Sequence, residues 1–183
     1  MQHKKGDKIV DVNLPAINGE MMNTANLRGK RYMLTFFRFA GCPFCNLRMH
    51  ELSRRFNELG DNFTIVAIFD SPIENLKKHS ARHHAPFHVV ADEENIYYKQ
   101  YSIRQSFAGL LRGAITRLPS VMYALVVKRY MPLSIKGKLT TMPANFLVDE
   151  NGIIQLAHYA NDPGDHVDFE QVKAFALAGK KSR

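Results

Sequence analysis

Cys42 and Cys45 are the two cysteines of this 183-residue chain, and only Pro43 and Phe44 separate them. Side chains three residues apart meet on one face of a helix, so the pair can support three chemistries. As a redox dithiol, Cys42 is expected to be the exposed attacking thiolate and Cys45, one turn further in, the shielded thiol that resolves a mixed disulfide. As half of a structural zinc site, the pair would need two more ligands. His79, His83, His84 and His88 cluster, and His50, His158 and His166 are scattered, but none stands at a zinc-finger spacing after Cys45. Those at 79–88 read most simply as surface residues on a helix and its exit, and no metal or other cofactor is expected. As inert core thiols, the pair would simply be buried, but a proline between cysteines after Ala40-Gly41 argues against idle packing. The redox reading is the strongest.

Other residue types bear on the same chemistry. Arg38 lies in an otherwise apolar run, four residues before Cys42, where a charge is costly without a partner; it either supports a thiolate or closes a salt bridge at a strand end. Arg48 reads as a solvated helix residue, with thiolate support as the alternative. Met142-Pro143 precedes an apolar strand, and X-Pro is the bond type for which cis is cheap. A cis proline facing the dithiol would free the Met142 backbone to pair with an extended substrate; a trans, strand-starting proline is the alternative. Pro43, Phe44, Met142 and Pro143 are therefore the expected substrate-binding residues, beside Cys42, Cys45 and Arg38 as catalytic ones. His158 and Tyr159 are weak site candidates, and Asp165 is a candidate cap of the last helix.

The elements that must position these residues follow from the pattern. Tyr32 to Phe39 is almost continuously apolar, as in a strand buried on both faces. Asn46 to Phe56 has helical spacing, with Leu47, Leu52 and Phe56 on one side. The cysteines thus sit where a strand hands over to a helix, whose first amides and dipole favour a negative sulfur. Pro43 suits the first turn. Residues 63–69 form a second buried strand, with Ser71 and Glu74 as a capping box for a helix over 72–83. A short strand at 87–91 and a helix capped by Asp92 follow. Residues 104–141 read as two helices broken around Pro119. Their apolar faces, Phe107, Leu110, Leu111 and Met122, Leu125, Val126, are expected against the core, with a homodimer surface as the alternative. Strands at 145–149 and 153–157 join at Asn151-Gly152, and a helix over 166–178 closes the chain before a mobile tail, 179–183. This order suits a three-layer α/β/α sandwich with a mixed central sheet and a helical insertion at 104–141, in one domain spanning 1–183.

Composition bounds the rest. The chain is 45% hydrophobic and 23% charged, with a net charge of +8, as for a soluble globular domain with a real core. No dense basic block with interleaved aromatics points to nucleic acid. The charge alone gives thin support for a membrane surface. The start, MQHKKGDKIV, lacks the apolar core of a signal peptide, and the cytoplasm is the default address.

Several stretches together resemble the alkyl hydroperoxide reductase/thiol-specific antioxidant group, the peroxiredoxins and their relatives. They are Gly6-Asp7, Leu14, Gly19 and Leu27-Arg28-Gly29-Lys30, then Phe36 through Cys45, Phe87 to Asp92, Phe146 to Gly152 and Gly164-Asp165-His166. The Cys-Pro-Phe-Cys segment looks like the peroxiredoxin-like, SelL-related subgroup. The resemblance implies a thioredoxin fold, a disulfide or hydroperoxide substrate, and a thiol reductant such as a thioredoxin- or glutaredoxin-type donor. The pattern also departs from true peroxiredoxins. They place Thr three and Pro seven residues before the peroxidatic cysteine. Those positions hold Phe39 and Thr35 before Cys42, and Cys42 and Arg38 before Cys45. Their late-strand arginine is replaced by Pro143. Thiol–disulfide exchange is thus the leading expectation, hydroperoxide reduction its alternative, and a redox-sensing or metal-binding protein without turnover a third.

Overall fold

The computed structural model describes residues 1–80, 84–130 and 137–179. The Asn18-Gly19 turn closes a small hairpin of β1 (Asn13–Pro15) and β2 (Met21–Asn23). Gly19 has φ +91°, a value glycine adopts without a Cβ penalty. The main sheet holds β3 (Arg31–Phe36), β4 (Phe63–Phe69), β5 (His88–Ala91), β6 (Ala144–Val148) and β7 (Ile154–Tyr159), in the spatial order β5-β4-β3-β6-β7. Pairs β3/β4 and β4/β5 are parallel, whereas β3/β6 and β6/β7 are antiparallel. The sheet is therefore mixed, and β3 and β4 are buried on both sides along nearly their whole length, which is why their sequences are apolar without alternation.

Side chains divide between two cores by strand parity. Met33, Ile65, Val89 and Leu147 face one side with α1 (Pro43–Arg55), α2 (Ile73–Ser80) and α6 (Phe169–Ala178), through Leu52, Leu76 and Val172. Leu34, Val66, Val90 and Phe146 face the other, under α3 (Ile96–Gln100), the β1/β2 hairpin and Tyr101. Each large apolar side chain so enclosed contributes about 1.5–3 kcal/mol relative to exposure.

Four local expectations are revised. The first long strand ends at Phe36 rather than Phe39. The Phe37 amide makes the last bond to β4, to the Ile68 carbonyl at 2.8 Å, and the Tyr98 hydroxyl sits 2.6 Å from the Phe37 carbonyl. The capping box does not form: Ser71 Oγ accepts from Asn75 Nδ2 and Glu74 pairs with Lys77. The last helix starts at Phe169, capped by Asp168, which accepts from the Glu170 amide at 2.7 Å. Asp165 instead accepts from the Asn161 amide and pairs with His158 at 2.9 Å. The ends of three expected elements, at 81–83, Met131 and 180–183, lie outside the described residues, as does His83.

The fourth revision concerns the insertion. It forms α4 (Phe107–Thr116) and α5 (Leu118–Met122), continued by a π-type turn over Tyr123–Val127. The two segments meet at 82°. The break falls at Arg117, and Pro119 lies within the first turn of α5, where its missing N–H is harmless. Of the expected apolar faces, Leu110 and Leu125 are half-buried, but Phe107, Leu111, Met122 and Val126 are all exposed. Gly109 and Gly113 are the inward residues of α4. They let it lie so close to the Asn161–Pro163 loop that an added Cβ would come within 2.7 Å of the Asn161 carbonyl or 2.5 Å of Pro163.

Candidate active site

Strand β3 delivers the chain to the sheet's carboxyl end, where a turn over 37–42 precedes α1. Asn46 fixes that turn, donating from Nδ2 to the Ala40 and Cys42 carbonyls, both at 2.9 Å. Cys42 is the N-cap of α1, with extended backbone (φ −66°, ψ 122°), and Pro43 is in the first turn. Cys45 lies one turn along. Both cysteines are free thiols and fully buried. The expected exposure of Cys42 is thus corrected.

The stem that returns from the insertion reaches Arg38, the side chain that contacts Cys42. The Arg38 guanidinium reaches Cys42 Sγ from Nη1 at 3.4 Å and donates from Nη2 to the Leu139 carbonyl. Gly137, at φ +131°, packs on the Asp70 carbonyl and the Phe39 side chain. Asp70, at the end of β4, holds the stem: Oδ2 accepts from the Lys138 amide and the Thr141 hydroxyl, both at 3.0 Å, and Oδ1 accepts from Asn95 Nδ2 at 2.8 Å. Stem residues 140–142 pair with 104–106, through Ser106 amide to Thr140 carbonyl and Met142 amide to Arg104 carbonyl, both 2.8 Å.

The electrostatics separate the two thiols. Burial pushes Cys42 up. The Cys45 thiol, the Arg38 charge and the amides of Cys45 and Phe44 outweigh this and bring it down to about 6. Cys45 moves the other way, raised well above the usual thiol value by burial and by the neighbouring Cys42 sulfur, although the Arg38 amide donates to its Sγ at 3.4 Å. One sulfur is built to carry charge and the other to keep its proton. An ionised, nucleophilic sulfur beside a protonated one can form a bond to an electrophile and then be displaced.

Arg38 is 3% exposed, and its Nε has no partner among the described residues. The aromatic ring of Phe39 lies 5.4 Å beneath it. The expected carboxylate at the strand end is replaced by a sulfur and a carbonyl. Arg48 is not solvated, as expected, but buried, with Nη1 on Glu51 at 2.6 Å and Nη2 on the Val167 carbonyl at 2.7 Å. It ties α1 to the segment before α6. Met142 is buried and its peptide bond to Pro143 is trans. Because the Met142 amide already serves Arg104, it is not free to pair with an incoming chain. The Pro143 carbonyl accepts from the Ala160 amide at 3.0 Å.

Phe44 is half-buried at the edge of a cavity of about 390 Å³ that Arg48, Arg117, Gly164 and His166 also line. Both ring nitrogens of His166 are shut off from solvent and unpartnered among the described residues, though the residue as a whole is only half-buried. Burial, and then the positive charge of Arg48, holds it well below the usual histidine range, so it is neutral. His158 pairs with Asp165, and Tyr159 donates to the Tyr101 carbonyl at 2.9 Å; neither bonds to a cysteine. Among the described residues, no three His, Cys, Asp or Glu side chains converge as metal ligands. Sequence reasoning missed Asp70 and Asn46. The Asp70-Ser71-Pro72 strand end was visible in the sequence, but not that its carboxylate would grip a stem 68 to 71 residues away.

The family model for the AhpC/TSA family matches residues 5–157. The chain belongs to the AhpC/TSA family. No curated protein matches it. Among solved structures, it resembles the thiol peroxidase of Chromobacterium violaceum (TM-score 0.67, 14% identity, covering 99% of this chain and 90% of that one). It also resembles the peroxidoxin BcpB of Mycobacterium tuberculosis (TM-score 0.62, 15% identity, 96% and 97% covered). A third is the thioredoxin domain of a thiol-disulfide oxidoreductase from Bacteroides vulgatus (TM-score 0.57, 18% identity, 96% and 99% covered). At these identities the likeness is one of fold, the thioredoxin fold with its mixed sheet. Membership of the AhpC/TSA family supports a thiol-dependent oxidoreductase. Its Met142-Pro143 pair and the Arg38–Cys42 contact lie on that family frame.

Proposed function

We propose that this AhpC/TSA protein is a thiol–disulfide oxidoreductase that cycles Cys42 and Cys45 between dithiol and disulfide. The observation that carries the reading is the opposite displacement of the two thiols, with Arg38 against the one driven toward thiolate. The Cys42 thiolate attacks one sulfur of a substrate disulfide. A Cys42–substrate disulfide forms as the second substrate sulfur leaves as thiolate and takes a proton. Cys45 then loses its proton, attacks Cys42 Sγ and expels the first substrate sulfur, leaving a Cys42–Cys45 disulfide. Two electrons have passed from the protein to the substrate. A thiol donor of thioredoxin or glutaredoxin type returns them. Arg38 holds the thiolate, while Phe44, Pro43 and the Met142-Pro143 corner shape the approach.

A second reading rests on burial. A fully buried sulfur admits a small hydroperoxide more readily than a protein disulfide. Attack of the Cys42 thiolate on the outer peroxide oxygen breaks the O–O bond, gives a sulfenic acid and releases an alcohol or water. Cys45 condenses with it and expels water, giving the same disulfide. Arg38 then takes the place of the usual late-strand arginine in stabilising the leaving oxygen. Stopped-flow mixing of the reduced protein with hydrogen peroxide, beside reduction of insulin disulfides with a recycling reductant, separates the two. Fast thiol loss with peroxide assigns a peroxidase, and insulin reduction abolished by Cys42→Ser assigns the exchange reaction. Activity of neither kind, or reductase activity that survives Cys42→Ser, overturns the proposal.

A further inference from the structure

We infer that the insertion is a docking face for an anionic lipid bilayer, lying on the membrane surface and not crossing it. Its amphipathicity is inside out. A soluble protein's surface helix turns its large apolar residues to the core. In α4 the inward positions are Gly109 and Gly113, and Phe107, Leu111 and Ile115, spaced by four, point outward with exposures of 72%, 54% and 69%. The next segment repeats the spacing with Leu118, Met122 and Val126, all at least half exposed. The two successive segments thus hold six large apolar side chains in solvent, an exposure that a monomer in water rarely shows. No single described helix is long and apolar enough to span a membrane, and the pair is bent by 82°. A ten-residue helix is only about 15 Å long, half the bilayer's hydrocarbon thickness. An interfacial helix pair fits these dimensions.

Charge chooses the occupant. Between Asn95 and Val148 stand eight Lys or Arg and no Asp or Glu; the remaining 17 basic residues are matched by the chain's 17 acidic ones. The whole net charge of +8 therefore belongs to this stretch. Arg117 is engaged by Asp162 at 2.6 Å, but Arg104, Arg112, Arg129 and Lys138 are exposed around the apolar stripes. A second copy seated symmetrically on this face would bring the same acid-free rim against its own, and like charges across an interface oppose association. An anionic bilayer supplies both the apolar layer and the missing counter-charge.

The test is flotation of the full chain with vesicles of phosphatidylcholine alone or mixed with phosphatidylglycerol. Recovery is expected with the mixed vesicles, weaker with neutral ones, and reduced by salt. Replacing Ile115 and Val126 by Ser should lower partitioning roughly tenfold or more, with circular dichroism and thiol titration unchanged because both side chains are exposed. The chain has no tryptophan, so Val126→Trp reports the site directly: its emission should shift to the blue on adding mixed vesicles. Absence of flotation, flotation without that shift, or flotation indifferent to the serine replacements overturns the inference. So does a concentration-dependent dimer, seen by light scattering, that the serine replacements abolish, which would assign the face to a second copy.

Discussion

Arg38 bridges Cys42 and Leu139: one guanidinium nitrogen is 3.4 Å from the sulfur and another binds the stem carbonyl. The same side chain thus lowers the Cys42 thiol, alongside the larger effect of the Cys45 thiol, and anchors the returning stem. Replacing it by Gln should raise the Cys42 titration midpoint from about 6 by about 1–3 units, and Lys should restore part of the shift. The thiolate's ultraviolet absorbance, followed against pH, checks this, with Cys42→Ser identifying the transition. A midpoint unmoved in the Gln variant would remove Arg38 from the reaction.

Gly137→Ala tests whether the stem controls access to Cys42. An ideal Cβ there would fall 2.0 Å from the Asp70 carbonyl oxygen, and φ is +131°. Backbone must shift, at a cost of about 1–3 kcal/mol, and the stem should loosen from Asp70 and Arg38. Alkylation of the native dithiol by a bulky maleimide should then accelerate, while the equilibrium unfolding midpoint in urea falls. Unchanged alkylation would mean that the stem does not control access to Cys42.

The strand–Cys-Pro-Phe-Cys–helix unit, the mixed sheet and the two Asn-Gly hairpin turns are legible in the sequence, because buried parallel strands and Asn-Gly turns leave local signatures. Other features are tertiary facts. Arg48 reads as a solvated helix residue because nothing nearby in sequence announces the Val167 carbonyl that binds it. Asp165 and Asp168 both make plausible caps, and the choice is made by His158 and Asn161, which occupy the former. Periodicity reveals that α4 has an apolar stripe but not which way it faces. Gly109 and Gly113 hold that information, since only a residue without a side chain fits against the 161–163 loop. The carbonyl that Arg38 binds, at Leu139, lies nearly a hundred residues from Cys42.

Tyr98 pins the point where β3 leaves the sheet. Its hydroxyl is buried between the Phe37 carbonyl at 2.6 Å and the Ile68 carbonyl at 3.0 Å. Tyr98→Phe leaves a buried carbonyl without its donor, which costs about 1–3 kcal/mol. Urea unfolding should show that loss, and the thiol titration should stay in place if the hydroxyl only braces the turn. A titration that moves with it would give Tyr98 a part in setting the sulfur's charge.

His166 supplies a pH dependence whose sign is fixed. Its folded value lies well below the usual 6.5, first through burial and then through Arg48, His158 and Arg117. In the unfolded chain it takes a proton near pH 6.5, so below that pH the unfolded state binds more protons and gains stability. The contribution is complete above about pH 6.5 and is lost as pH falls toward the folded value. His166→Phe keeps a ring against Phe37, whose centroid is 5.7 Å away, but removes the proton site. Urea unfolding measured from neutral pH downward should therefore fall more steeply for the parent chain than for the Phe variant, with curves parallel above pH 6.5. Parallel curves throughout would mean that His166 titrates alike in both states, and that the cavity beside Phe44 is open enough to water to solvate an imidazolium.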